Sequence, residues 1–140
     1  MKYPVMLSVR GLQRYVGQEP DVIELVTPGT LEEIDGGWEI AYEETDLTGL
    51  DGVTTVFRVE KEKVTLTRSG KLVSEMIFRE GVAHESLYKM EFGALLISVC
   101  ATKIQWKITP AGGMVDLTYN IEIEQAEAGV VEYHLGIEAR

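Results

Sequence analysis

The stretch "VDLTYNIEIE", residues 115–124, decides the fold. Val115, Leu117, Tyr119, Ile121 and Ile123 alternate with Asp116, Thr118, Asn120, Glu122 and Glu124. A period of two, apolar against polar, is that of a β-strand with one buried and one wet face. Working outward, Val53, Thr55, Phe57 and Val59 repeat the pattern against Thr54, Arg58 and Glu60. No segment holds a helical apolar period for three turns. Turn signals punctuate the chain at "DGG" 35, "LDG" 50, "EKEK" 60, "RSGK" 68, "REG" 79, "EFG" 91, "PAGG" 110 and "AEAG" 126. Most lie about 8 to 12 residues apart, the spacing of consecutive antiparallel strands.

A meander of about 8–10 strands leaves two exposed edges unless it closes, so the expectation is all-β: a single closed up-and-down antiparallel barrel. A two-sheet sandwich is the competitor, but Greek-key connections are long and these joins are tight. The 140 residues suffice for one domain, 1–140. In "ALLISVCATKIQWKIT", residues 94–109, the apolar parity switches from odd (Leu95, Ile97, Val99, Ala101) to even (Ile104, Trp106, Ile108). One extra residue near Thr102–Lys103 keeps both sets inside, which predicts a β-bulge there.

Composition narrows the function classes. The formal charge of −10 argues against nucleic acid and anionic membrane as partners, since both are met by gathered Lys and Arg. One cysteine excludes an internal disulfide and a thiolate zinc cluster. The opening "MKYPVMLSVRG" has no signal-peptide core, and "ALLISVCA" at 94–101 falls short of the roughly 20 residues of a membrane span. These features lead us to expect a cytoplasmic protein.

Four motifs in order carry a family resemblance: "YEETDL" at 42–47, "RSG" at 68–70, "YKMEFGALLISV" at 88–99 and "LTYNIEI" at 117–123. Together they resemble the YwiB-like family of small bacterial proteins, a domain of unknown function placed among calycin-like, or lipocalin-like, β-barrels. The resemblance implies a closed meandering barrel in a bacterial cytoplasm and implies no activity. The family often has a threonine before the FG turn. This chain departs from that pattern with Met90-Glu91-Phe92-Gly93, so a role for a hydroxyl at that turn does not carry over as an expectation.

Polar residues that share parity with apolar ones mark the candidate site. Arg68 continues the face of Val64 and Leu66, while His84, Ser86 and Tyr88 share one with Met90. In a closed barrel these side chains point into the lumen. A buried guanidinium needs a carboxylate, carbonyls, water or a ligand. One reading is an anion anchor for a small apolar or anionic ligand bound in the lumen by Arg68, His84, Ser86 and Tyr88. The alternative is a barrel filled by Met6, Leu66, Met76, Phe78, Tyr88 and Met90, with a structural or protein-interaction role. In that case Arg68 pairs with Glu43 or Glu44 at one barrel end. Glu43 and Glu44 point to opposite faces of their strand, so at most one faces inward.

Catalysis, cofactors and metals are not expected. His84 and Ser86 at i and i+2 lie about 7 Å apart, too far for a nucleophile–base hydrogen bond, and no GxSxG elbow occurs. His134 reads as wet, Cys100 as a tolerated thiol, and Trp38 and Trp106 as packing. "DLTGLDG" at 46–52 lacks the ligand pattern of a calcium loop.

Overall fold

A computed structural model describes residues 2–45, 50–90, 92–124 and 126–140, and among them there are ten strands and no helix. In chain order these are β1 Lys2–Tyr15, β2 Asp21–Ile34, β3 Gly37–Glu43, β4 Val53–Glu60 and β5 Lys63–Gly70, then β6 Ser74–Phe78, β7 Ala83–Met90, β8 Gly93–Thr109, β9 Gly112–Ile123 and β10 Ala126–Ala139. All pairings between strands are antiparallel and run β6-β5-β4-β3-β2-β1-β10-β9-β8-β7. The chain ends meet where β1 pairs β10 from Val5↔Ala139 to Tyr15↔Gly129. The meander expected from the turn spacing is therefore present, wrapped into a nearly closed barrel.

Tight turns keep inside and outside in step from hairpin to hairpin. Asp35–Gly36 links β2 to β3 in two residues, with Gly36 at φ 84°, where a side chain would be strained. Lys61–Glu62 joins β4 to β5, closing on Glu60↔Lys63. Even turns preserve parity, so Ile40, Phe57, Leu66 and Met76 line up as one inward row across four strands.

The bulge stands where the parity switch predicts it. Ala101 faces Tyr119 and Lys103 faces Thr118, leaving Thr102 as the extra residue. Val99 and Ala101 before it and Ile108 after it are buried together. Half-buried Trp106 donates its indole N–H to Glu60 O at 2.9 Å.

Much of the lumen is packed solid. Phe57 and Phe78 are almost wholly buried and meet tyrosines, Phe78 at 4.5 Å from Tyr119 and Phe57 edge-on to Tyr133 at 5.9 Å between ring centroids. Leu66 and Met76 fill the interior as expected. Met6 does not: Val5, Leu7 and Val9 face inward, so the even positions of β1 face out and Met6 is only half-buried.

The sheet edges β6 and β7 meet at a seam. Val73 and Lys89 exchange two backbone hydrogen bonds of 2.9 Å, and Gly81 N–H donates to Ala101 O. Glu80 Oε2 accepts from Ile104 N–H at 2.8 Å, and His84 Nδ1 lies 3.5 Å from Ile77 N. Side chains thus satisfy backbone groups that a full ladder would pair.

Candidate functional site

One cross-strand row departs from apolar filling. Tyr42↔Thr55, Thr55↔Arg68 and Arg68↔Ser74 are direct register pairs on β3, β4, β5 and β6. All four side chains are buried. β3 ends at Glu43, yet Glu44 N–H donates to Val53 O at 2.9 Å and extends the pairing by one residue. The alternation therefore turns Glu44 inward and Glu43 outward: Glu44 is buried and Glu43 exposed. Thr55 Oγ donates to the Glu44 carboxylate.

Arg68 is the unusual member. It is 7% exposed, and its Nη2 donates to the Tyr133 hydroxyl at 3.1 Å. Its Nε–H and the Ser74 hydroxyl beside it are buried with no hydrogen-bond partner among the described residues. The ion pairs among those residues are Arg10–Glu24, Arg14–Glu132, Arg58–Glu39, Lys63–Glu60 and His134–Asp116, and none contains Arg68. A guanidinium carries five donors and cannot shed its proton.

Tyrosines surround it. Tyr15, Tyr42, Tyr88, Tyr119 and Tyr133 all lie within electrostatic reach of Arg68. Burial works against the charge on Arg68, but the oxygens of Tyr133, Tyr88 and Tyr119 outweigh it and hold its pKa above the usual value. Burial pushes the hydroxyls of Tyr42 and Tyr88 up, and the Glu44 charge raises Tyr42 further. At neutral pH Tyr42 and Tyr88 are thus neutral hydrogen-bonding groups.

These residues surround a cavity of about 260 Å³ at one end of the barrel. Tyr42, Glu44, Arg68, Tyr88 and Tyr133 form its polar lining. Val9, Ile23, Leu25 and Leu50 supply an apolar one, with Gly11 and Gln13 beside them. An added Cβ at Gly11 would lie 3.6 Å from the Tyr133 ring, in ordinary van der Waals contact, so a larger side chain here would reach into the cavity beside the tyrosine.

Of the residues singled out in the sequence, the structure brings Arg68, Tyr88 and Glu44 together. Glu43 lies on the outer face. His84 sits at the seam against Ile77, and Ser86 is half-buried opposite Ile97; neither lines the cavity. Residues 46–49, which overlap the "YEETDL" and "DLTGLDG" stretches, and the Met90 side chain lie outside the described residues. Sequence reasoning missed Tyr133 as the Arg68 partner, Thr55 on Glu44, and Gly11. Tyr133 was traceable, because it shares parity with Val131 and Leu135. His134 is only partly wet, with Nδ1 2.7 Å from Asp116 Oδ1, and Cys100 is half-buried. Among the described residues no group of three His, Cys, Asp or Glu could hold a metal, and no helix is long and apolar enough to cross a membrane.

Comparison with known proteins agrees with this architecture. The crystal structure of ywiB protein from Bacillus subtilis superposes with a TM-score of 0.87, covering 99% of this chain and 93% of that one at 22% identity. At that identity the likeness speaks to the fold alone. No curated protein matches the chain. The family model for the domain of unknown function DUF1934 matches residues 7–137. With its motifs, meander and barrel in agreement, the chain belongs to the DUF1934 family.

Proposed function

We propose that the protein is a binding barrel that takes one small organic anion at the Arg68 end of its lumen. The carrying observation is Arg68 itself, a buried cation on the wall of a cavity whose Nε–H has no partner among the described residues. Burying such a group is costly, and an oxyanion returns that cost through charge-assisted hydrogen bonds. Tyr133, which accepts from Arg68, keeps its own hydroxyl proton to donate. Packing by Phe57, Phe78 and Tyr119 limits the guest to the cavity, about nine water volumes at roughly 30 Å³ each.

Native mass spectrometry of the protein purified from its own host tests this reading. A small-molecule adduct is expected on the wild type and is expected to vanish in Gly11→Leu, which fills the cavity beside Tyr133. A wild type that carries no adduct, and takes up no small carboxylate added in excess, contradicts it. A second reading rests on Val73, Val82, Leu87 and Phe92, large apolar side chains exposed on or near the seam strands. They suit a protein partner, and a co-purifying protein in place of a small molecule would favour that role.

A further inference from the structure

From the two opposite charges that line one cavity, we infer that the guest is a small zwitterion with an apolar body, of which an apolar α-amino acid is the prototype. This inference rests on the binding-barrel reading and adds the chemical class of the guest.

Arg68 and Glu44 both line the cavity, and both are buried. They approach it from β5 and from the end of β3, on either side of β4, whose Thr55 is the register partner of Arg68 and donates to Glu44. Arg68 bonds to Tyr133, and its Nε–H has no partner among the described residues. The polar wall therefore carries both signs, a cation from β5 and an anion from the end of β3. A simple carboxylate satisfies Arg68 and brings a second negative charge close to Glu44. In a buried site that repulsion is only weakly screened. A dianion such as phosphate meets it twice over. A zwitterion places its carboxylate on Arg68 and its ammonium toward Glu44, so neither end of the guest faces a like charge.

Two further observations fit this class. Val9, Ile23, Leu25 and Leu50 supply the apolar wall, a seat for a short aliphatic side chain. The cavity of about 260 Å³ lies just below the usual range of ligand pockets, about 300–1,000 Å³, and so suits a guest as small as leucine. The chain carries a net charge of −10, which repels free anions on approach but does not repel a molecule of zero net charge.

The test is isothermal titration of the full chain with three matched probes: leucine, 4-methylpentanoate (leucine without its amino group) and 3-methylbutylamine (leucine without its carboxylate). Leucine is expected to bind at least about tenfold more tightly than either, the lower end of what one charge-assisted hydrogen bond contributes. Glu44→Gln keeps an oxygen for Thr55 and removes the charge. In that variant leucine should weaken to about the affinity of 4-methylpentanoate, while 4-methylpentanoate holds or tightens. If 4-methylpentanoate equals or exceeds leucine on the wild type, the zwitterion inference is wrong and the anion reading stands. If none of the three binds at about 10 mM, where Kd values near 1 mM are readily seen, both fall.

Discussion

Replacing Arg68 with Met distinguishes a cation kept for a guest from one kept for the fold. Among the described residues Arg68 donates to Tyr133 and buries an Nε–H without a partner. Removing the guanidinium forfeits a charge-assisted hydrogen bond, about 1.5–3 kcal/mol. It also removes the desolvation cost of the orphaned Nε–H, about 1–3 kcal/mol, and Met restores apolar contact in the same space. The terms nearly cancel, so R68M should lie within about 2 kcal/mol of the wild type. For a chain of this size that is a Tm shift of no more than about 6 °C in either direction. A seal that holds the barrel shut would behave differently, since breaking a buried ion pair costs about 3–5 kcal/mol. Thermal unfolding followed by circular dichroism reads the difference. A fall of about 10 °C or more would refute the reasoning, because Arg68 would then be part of what holds the barrel together.

Other perturbations test the frame around the site. Deleting Thr102 removes the bulge and turns Ile104, Trp106 and Ile108 outward; with two of these half-buried, the loss is worth about two full burials, roughly 3–6 kcal/mol, a large part of a domain's stability. That variant should lose its near-ultraviolet dichroism, and a native-like melt would contradict the bulge assignment. The tyrosine pKa values give stability a basic limit. Tyr15, Tyr42, Tyr88 and Tyr119 have pKa values raised above 10 in the folded chain, so the folded state holds protons that the unfolded state releases. Stability is then full below about pH 10 and falls above it; ultraviolet titration should show these phenols ionising together with unfolding, and a smooth titration near pH 10 in a folded chain would count against the burial. At the seam, the amides of Val73 and Lys89 should exchange with solvent faster than those of β1 paired with β10, since one residue pair holds them. Equal protection would mean that the edges are joined more firmly than described.

The fold was legible wherever strands keep strict parity. The run 115–123 and the parity switch at Thr102 sufficed for the meander and its bulge, because a one-residue slip exchanges the two faces of a strand. The same logic found Arg68 and Tyr88 on the inner face and assigned Glu43 and Glu44 to opposite sides. It failed where parity has no apolar marker. β1 and β2 line the cavity through Gly11, Gln13 and Ile23, a mix of glycine, polar and apolar residues with no clear alternation. Met6 was placed inside because it is apolar, although Val5, Leu7 and Val9 claim the inner face of the same strand. His84 and Ser86 do face inward, but their strand lies at the seam, and distance from the Arg68 end is not written in a periodicity. The partnership of Arg68 with Tyr133 joins residues 65 positions apart, and only the closing of the sheet brings them together.

The most direct test of the account observes the Arg68 guanidinium itself. In nuclear magnetic resonance of arginine side chains, the Arg68 Nε–H is assigned by its disappearance in R68M and followed as leucine is titrated into the wild type. The account predicts a saturable downfield shift of that proton, as its missing acceptor arrives, and no such shift in Gly11→Leu. An Nε–H resonance unmoved at saturating leucine and at saturating 4-methylpentanoate would contradict the claim that this cation is held for a guest.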